Sequence, residues 1–433
     1  MFADLYRQKL TTHQAAAARL RDNDRLVIAL SMAEPRGLLG AIAQRLAAGD
    51  LKKLRVFSLL PLKHAMETVL RPELADCVEA TTGFVSAGER GLVAAGLNYF
   101  APNHFHQVPR LLCEEMGVDV TVTTVSPMDR HGYFSFGTAN DYTSTTARAG
   151  RLLMVEVNPQ MPRVFGASLI HVSEVDLIVE HDGPLNQFPN PTPTPEDAVI
   201  GKAIAELVPD GACLQLGFGA LPNSVAAYLE GHRDLGIHTE VFAPSMVGLI
   251  NKGVITGAKK NLHPRKHVFT VAQGDQAMLD FMDDNPAMES YPVSYTNHPG
   301  IIAQNENLIS INAVLQVDLL GQCNAEFLAG HQFSGTGGQL DFVRGAYDSP
   351  GGKSILAFHA TAKQGAVSRI VPQLEHGAMI TTPRNDTHYL ATEFGLANLK
   401  GKNTRQRALA IIDLAHPNFR DELLKAAEDM YLL

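Results

Sequence analysis

A single acid, Glu240, closes the short apolar stretch GIHTE, which begins at Gly236. A brief apolar run of this kind is typical of a buried strand. In open α/β sheets, ligands collect at the carboxyl ends of the strands, so Glu240 lies where a substrate would be delivered. A carboxylate can act there as a general base or as a nucleophile on an activated acyl group. The pattern leaves open a solvated loop acid with no such role.

A glycine turn precedes this glutamate in the stretch LQLGFGALPNS, where Gly217, Phe218, Gly219, Ala220 and Leu221 separate a predicted strand from a predicted helix. Glycines let a ligand approach the backbone closely, and the first turn of a helix offers free N–H groups. The turn is therefore a candidate for binding a phosphate or an oxyanion. The third glycine of the dinucleotide fingerprint is missing, which argues against a nicotinamide site. An ordinary tight turn is the alternative.

A second glycine-rich stretch, SGTGGQLDFVRGA, contains Gly335, Gly337 and Gly338, with Arg344 and Lys353 following as nearby positive charges. Glycines this dense indicate backbone torsions or contacts that side chains would forbid. The apolar LDFVRGA segment would anchor such a loop, which makes it a second candidate ligand loop. A flexible linker is the alternative.

Other residues compete for a catalytic role. His131 lies in the loop SPMDRHGYFSFG (126–137), although a lone histidine in a turn is more often structural. Three further acids, Glu289, Glu326 and Glu393, cannot be separated from Glu240 by position alone. A serine nucleophile is not indicated, since the chain has no GxSxG elbow, and it has no GxxxxGK[ST] loop and no HExxH helix.

Composition narrows the class of protein. The 433 residues are 45% hydrophobic and 19% charged, so the chain can build large cores and favours two or three domains. The net charge of −9 argues against a nucleic-acid surface. Four scattered cysteines without a CxxC pair predict neither a zinc site nor a disulfide framework. No apolar run approaches a membrane span and no signal peptide is evident, so we expect a soluble cytoplasmic protein.

The order of elements predicts two α/β domains. Apolar runs at 25–31, 53–60, 118–126, 151–158 and 175–180 alternate with helical segments such as 36–50, which is typical of a largely parallel sheet. A proline-rich linker at 182–195 follows, with Thr194 as a predicted N-cap. The predicted domains are thus residues 1–181 and 196–433.

The second half repeats this alternation. Its strand candidates are ACLQLG, GIHTE, HVFTVAQG, LISINAVLQVDLLGQ, SILAF, SRIVP and AMITT, and the last segment, FRDELLKAAEDMYLL, predicts an amphipathic helix.

Together these segments resemble a known family. The stretches that carry the resemblance are SPMDRHGYFSFG, LQLGFGALP, LGIHTE, NPAMESYPVSYTNHP, SGTGGQLDFVRGA, TTPRNDTHYLATEFGLANLKGK and RALAIIDLAHPNFRDEL. They are similar to those of the family I CoA-transferases, specifically the acetyl-CoA hydrolase/transferase branch that includes 4-hydroxybutyrate and butyrate:acetate CoA-transferases. The resemblance covers almost the whole chain and implies two open, largely parallel α/β domains with the active cleft between them.

The resemblance also implies roles for individual residues. Glu240 matches the family's nucleophile, the turn from Gly217 to Leu221 matches its CoA-binding and oxyanion loop, and Gly337 and Gly338 match a CoA-contacting loop. One departure is visible, because the family often has Asp-Gly where this chain has Pro244 and Ser245. The departure leaves the nucleophile intact and bears on the shape of the acyl pocket.

The implied reaction moves CoA between a short-chain acyl-CoA and a free carboxylate through a glutamyl-CoA thioester. CoA is then a substrate and a covalent intermediate, with no metal and no tightly bound cofactor. The expected partners are acyl-CoA and small carboxylates, with no nucleic acid and no membrane, in a homodimer or higher homo-oligomer. Two alternatives stay open, namely an acyl-CoA hydrolase that uses the same glutamate and a catalytically silent CoA-binding sensor.

Overall fold

Two largely parallel sheets dominate the computed structural model, which describes residues 2–188 and 190–433. The strands of the first half are β1 (Arg25–Ile28), β2 (Leu54–Ser58), β3 (Val78–Thr82), β4 (Asn98–Phe100), β5 (Val120–Val125), β6 (Tyr133–Ser135), β7 (Leu152–Val157), β8 (Phe165–Gly166), β9 (Leu169–His171) and β10 (Leu177–Glu180). Seven of them form one sheet in the order β10-β7-β5-β1-β2-β3-β4, and every neighbouring pair is parallel.

The second half supplies the larger sheet. Its strands are β11 (Cys213–Leu216), β12 (Gly236–His238), β13 (Val241–Phe242), β14 (His267–Phe269), β15 (Val271–Ala272), β16 (Met288–Ser290), β17 (Leu308–Ala313), β18 (Gln316–Asp318), β19 (Cys323–Asn324), β20 (Phe327–Leu328), β21 (His331–Gln332), β22 (Lys353–Ala357), β23 (Thr361–Ala362), β24 (Val367–Ser368), β25 (Ile370–Val371), β26 (Tyr389–Thr392) and β27 (Gly395–Asn398). Nine strands pair in the order β27-β26-β22-β17-β11-β12-β14-β16-β8, and only the β26–β27 pair is antiparallel.

Helices cover both sheets. They are α1 (Phe2–Lys9), α2 (His13–Ala17), α3 (Arg36–Ala48), α4 (Lys63–Met66), α5 (Arg90–Ala94), α6 (Val108–Arg110), α7 (Thr143–Thr146), α8 (Pro195–Ala205), α9 (Ala220–Tyr228), α10 (Pro244–Asn251), α11 (Gln276–Met282), α12 (Val293–Thr296), α13 (Pro299–Ile302), α14 (Gln339–Asp348), α15 (Thr404–Asp413) and α16 (Pro417–Asp429). Short 3₁₀ turns lie at Ser31–Ala33, Pro72–Leu74 and Phe105–Gln107, and a π-helical turn at Leu111–Met116 continues α6.

The predicted α/β class with largely parallel sheets is confirmed. Thr194 is the N-cap of α8, and its hydroxyl and the Asp197 carboxylate form a reciprocal capping box. The segment AMITT was expected to be a strand, and that prediction is wrong. It has no strand and makes only an isolated bridge between Cys323 and Thr382.

The two halves do not separate completely at the proline-rich segment. The short strand β8, which precedes that segment, pairs with β16 at the edge of the second sheet. One continuous apolar core also contains side chains from both halves, including Val27 and Phe57 from the first and Leu214 and Ile237 from the second. The interface between the halves is therefore packed like a protein interior.

Candidate active site

Glu240 lies two residues after the end of β12, at the carboxyl end of the second sheet. Its carbonyl oxygen accepts hydrogen bonds from the backbone N–H groups of Thr270 and Val271, at 3.2 and 3.1 Å. The preceding Thr239 donates its N–H to the carbonyl of Val268 at 2.9 Å. These bonds fix the backbone on both sides of the glutamate, so its side chain starts from a rigid position.

Two donors reach the Glu240 carboxylate. The amide nitrogen Nδ2 of Asn297 donates to Oε2 at 2.5 Å. The backbone N–H of Gly338 lies beside this carboxylate as a second donor and stabilises its ionised form. Asn297 is fully buried at the end of α12, where the Nε2–H of His238 donates to the carbonyl of the neighbouring Thr296 at 2.8 Å. Both donors come from segments far from Glu240 in the chain, so the fold itself assembles this site.

Gly338 is so close to the carboxylate that no side chain fits there. A Cβ atom at this position would lie 1.8 Å from Oε2 of Glu240 and 2.1 Å from Nδ2 of Asn297. The preceding Gly337 has a φ of +55°, a conformation that favours glycine. The second glycine stretch therefore lies against Glu240 itself.

The surroundings of Glu240 raise its pKa to about 7. Burial of the carboxyl group is the main cause, and the negative charge of Asp341 adds to it. The hydrogen bonds from Asn297 and Gly338 act in the opposite direction, because they stabilise the ionised form. An acid with a pKa near the working pH at a strand end is typical of a functional group.

The first glycine turn lies beside Glu240. Strands β11 and β12 pair in parallel with Leu214 opposite Ile237, and Gly217 and Glu240 both follow shortly after the ends of these neighbouring strands. The N–H of Gly217 is already bonded to the carbonyl of Ile311 at 3.3 Å. Gly219 has a φ of +139° and is the N-cap of α9, whose first N–H groups have no partner within the helix. A ligand at this turn would therefore meet the donors that follow Gly217.

The first half of the chain closes over the second glycine stretch. The backbone N–H of Val85 donates to the carbonyl of Ser334 at 3.3 Å, and that of Phe105 donates to the carbonyl of Gly337 at 3.2 Å. The Phe84 ring packs so tightly on Gly335 that a Cβ there would lie 2.9 Å from it. Glu240 thus faces a region formed by both halves.

The three competing acids have other partners. Glu289 pairs with Lys266 at 3.1 Å and accepts the Tyr291 hydroxyl at 2.8 Å. The Glu393 carboxylate accepts the backbone N–H of Ala360 at 2.9 Å.

Glu326 has a structural setting near the glycine stretch. It is buried, and its carboxylate accepts hydrogen bonds from Thr336 and Thr381 at 3.1 and 2.9 Å and from Gln332 at 2.8 Å. It therefore holds the residue that precedes Gly337 and Gly338.

The remaining candidates lie away from these contacts. His131 is exposed, and its ring hydrogen bonds to the neighbouring Arg130 at 3.0 Å. Arg344 pairs with Asp386 at 3.1 Å, and Lys353 begins β22. Pro244, where the family often has aspartate, is the first residue of α10, and Ser245 follows it in that helix.

Sequence reasoning missed two residues of the site, Asn297 and Asp341. Both stand in stretches that carried the family resemblance, NPAMESYPVSYTNHP and SGTGGQLDFVRGA, but nothing local marks either as a neighbour of Glu240.

Across residues 2–188 and 190–433, no cluster of three or more His, Cys, Asp or Glu side chains is arranged to bind a metal ion. Within the same part of the chain, no helix has the length and apolar character needed to cross a bilayer.

Family models match both halves of the chain. Residues 3–188 match the acetyl-CoA hydrolase/transferase N-terminal domain, and residues 274–427 match the C-terminal domain of the same family. The chain is 44% identical to the succinyl-CoA:cyclohexane-1-carboxylate CoA transferase of Geobacter metallireducens, over 98% of this chain and 96% of that protein. This chain belongs to the acetyl-CoA hydrolase/transferase family. It is therefore an enzyme of the CoA-transferase class.

Further proteins are similar to this chain over at least 97% of both lengths. The 4-hydroxybutyrate coenzyme A transferase of Clostridium kluyveri is 40% identical over 97% of both chains. The crystal structure of RipA from Yersinia pestis superimposes with a TM-score of 0.97 at 50% identity and covers 100% of both chains. The 4-hydroxybutyrate CoA-transferase of Porphyromonas gingivalis superimposes with a TM-score of 0.85 at 36% identity, over 99% of this chain and 100% of that one.

Proposed function

We propose that this enzyme transfers CoA between a short-chain acyl-CoA and a free carboxylate, with Glu240 as the covalent nucleophile. The observation that carries the proposal is the environment of Glu240, a carboxylate with a raised pKa held by Asn297 and Gly338. Glu289, Glu326 and Glu393 lack this environment, since their carboxylates are bound to cations, hydroxyl groups or backbone N–H groups elsewhere.

The proposed reaction begins when a carboxylate oxygen of Glu240 attacks the thioester carbonyl carbon of the acyl-CoA. The C–S bond breaks, CoA leaves as the thiolate, and an acyl-glutamyl anhydride remains. The thiolate then attacks the glutamyl carbonyl carbon and expels the acyl group as a free carboxylate. The resulting glutamyl-CoA thioester passes CoA to the incoming carboxylate by the same steps in reverse.

Two sets of hydrogen-bond donors could stabilise the two oxyanions that form in this reaction. The oxyanion on the substrate carbonyl would face the glycine turn, where the N–H groups after Gly217 begin α9. The oxyanion on the glutamyl carbonyl would keep the donors that already hold the carboxylate, Asn297 and Gly338. CoA contacts are proposed at Gly217, Phe218, Gly219, Ala220 and Leu221 and at Gly337 and Gly338.

The raised pKa favours the covalent intermediates. Burial and the charge of Asp341 destabilise the ionised carboxylate of Glu240. The anhydride and the thioester carry no charge on this side chain, so their formation removes the same unfavourable interactions that protonation would remove. A pKa of about 7 in place of the usual value near 4.3 corresponds to roughly 3–4 kcal/mol.

The proposed substrates are short-chain acids of the 4-hydroxybutyrate, butyrate and acetate type. Relatives named for 4-hydroxybutyrate and for butyryl-CoA with acetate, at 40% and 36% identity, support this choice. A panel of carboxylates, including propionate, succinate and cyclohexane-1-carboxylate, tests it when the CoA esters formed are identified by mass spectrometry. If none of the short-chain acids yields a new CoA ester, the proposal is contradicted.

The alternative activity is hydrolysis of the acyl-CoA, in which water intercepts the anhydride. Free CoA release with and without added acetate separates the two activities. A transferase forms acetyl-CoA and releases little free CoA, whereas a hydrolase releases free CoA at the same rate in both conditions.

We further propose a homodimer or higher homo-oligomer in the cytoplasm. Light scattering coupled to size-exclusion chromatography tests the first part, where a monomeric mass would contradict it. Fractionation of the native cell tests the cytoplasmic location, and recovery of the enzyme outside the cytoplasmic fraction would contradict it.

A further inference from the structure

One histidine of the first half contacts both segments that supply donors to Glu240. His106 lies in the 3₁₀ turn Phe105–Gln107, and its ring Nδ1–H donates to Oδ1 of Asp341 at 2.7 Å. The backbone N–H of His106 donates to the other carboxylate oxygen of Asp341 at 3.1 Å. The side chain of Asp341 is 2% exposed, so this double hydrogen bond is shielded from water.

Asp341 stands in the first turn of α14, the helix whose N-cap is Gly338. The carbonyl of Gly338 accepts the N–H of Phe342 at 3.0 Å, which ties the glycine to the same helical turn. An anchor on Asp341 therefore restrains the direction of the Gly338 N–H toward Glu240.

The same imidazole also packs on the segment of the second donor. The ring of His106 meets the ring of His298 edge to face, with 5.5 Å between their centroids. His298 directly follows Asn297 and caps α13, since its Nδ1 accepts the N–H of Gly300. His106 therefore touches the neighbours of both donors.

We propose that His106 is a positioning residue, through which the first half of the chain holds Gly338 and Asn297 at the distances that Glu240 requires. The proposal rests on the assignment of Glu240 as the nucleophile. Packing between the two halves then affects the chemical step directly, because a side chain from the first half is needed to complete the site.

Three substitutions at His106 separate positioning from simple packing. In His106→Asn the amide nitrogen takes nearly the place of Nδ1, in His106→Gln it lies one methylene further out, and in His106→Ala the donor is lost. We expect His106→Ala and His106→Gln to lower kcat by about 10- to 100-fold, with KM for acyl-CoA changed less than about threefold. We expect His106→Asn to recover kcat to within about threefold of the parent enzyme.

A matched control is available in the same chain. His359 donates from Nε2 to Oδ1 of Asp197 at 2.8 Å, and that aspartate caps α8 and does not belong to the glycine stretch. His359→Asn removes a histidine–aspartate bond of similar length and should leave kcat unchanged. Circular dichroism and the melting temperature of each variant show whether it is folded.

Mass spectrometry of the glutamyl-CoA adduct tests the role of His106 separately from the assignment of Glu240 as the nucleophile. If the parent enzyme forms the adduct on Glu240 and His106→Ala forms it at the same rate, the role of His106 is refuted and the proposed function stands. If the parent enzyme forms no adduct on Glu240, the proposed function fails first. Equal kcat for His106→Asn and His106→Gln in folded proteins would also overturn the positioning role.

Discussion

The ionisation of Glu240 should control the acid side of the pH–rate profile. Only the ionised carboxylate can attack, and its pKa of about 7 leaves about one-tenth of the enzyme active at pH 6. A glutamate with the usual pKa near 4.3 would be almost fully ionised at that pH. We therefore expect kcat/KM for acyl-CoA to fall about tenfold when the pH is lowered from 8, where it is near its plateau, to 6.

The assay follows the first half-reaction by stopped flow or by rapid quench, so that the acceptor acid does not contribute. The 3′-phosphate of CoA also titrates, with a second pKa of about 6, and the affinity for a non-reactive CoA analogue measured over the same pH range corrects for it. Asp341→Asn removes a charge that raises the pKa of Glu240, so its profile should move to lower pH. A profile that is flat from pH 8 to pH 5.5, in the parent enzyme and in Asp341→Asn alike, would refute the reasoning.

Gly338→Ala should lower kcat by at least about 10²-fold because its Cβ would overlap Oε2 of Glu240. The control Gly40→Ala, where the added Cβ meets nothing within 4 Å, should leave kcat unchanged. Similar losses in both variants would indicate a folding defect. Gly219→Ala has space for its Cβ but must adopt a φ of +139°, so we expect a folded protein with reduced turnover, and parent-like kcat would exclude this turn as an oxyanion site. Glu240→Gln should raise the melting temperature at pH 8, because a pKa raised in the folded state means that the charged carboxylate opposes folding; the gain in free energy of unfolding above pH 7 is at most roughly 3–4 kcal/mol. That gain should shrink as the pH falls below 7 and vanish only below the usual glutamate pKa of about 4.3, and a gain that does not depend on pH would contradict the assigned pKa.

The strands and helix caps that have a clear local sequence pattern were predictable from the sequence. The apolar run before Glu240 predicted a strand, and parallel sheets place strand ends on one edge, so the position of Glu240 followed from pattern alone. The Thr194 cap followed from Pro195 at the first helical position and the acids of the first turn. The strands β3 and β4 were missed, because VEATT mixes a charge with small residues and NYF is only three residues long.

The wrong strand prediction at AMITT has a physical cause. The segment is apolar, yet Met379 and Ile380 are 43% and 48% exposed. Its threonines are used by side-chain bonds instead, since the Thr381 hydroxyl donates to Glu326 and accepts the N–H of Ala325. Hydrophobicity alone did not indicate whether a partner strand would be adjacent.

The donors around Glu240 could not be inferred from local sequence. Asn297 and Gly338 reach the carboxylate only because the end of α12 and the start of α14 both lie beside Glu240. The pKa of Glu240 depends on the same packing, since burial is its largest cause. His106 is still more remote, because its contact with Asp341 crosses between the halves of the chain.

The most direct test of the central claim is to find where CoA becomes attached to the enzyme. The enzyme is mixed with acyl-CoA without an acceptor, treated with borohydride or digested at once, and its peptides are mapped by mass spectrometry. We expect a CoA thioester on Glu240, inactivation by borohydride only after exposure to acyl-CoA, and no adduct in Glu240→Ala. Glu240→Asp should be severely impaired, while Glu289→Ala and Glu393→Ala should still carry the adduct. An adduct mapped to Glu289, or active turnover with no adduct on any glutamate, would contradict the account.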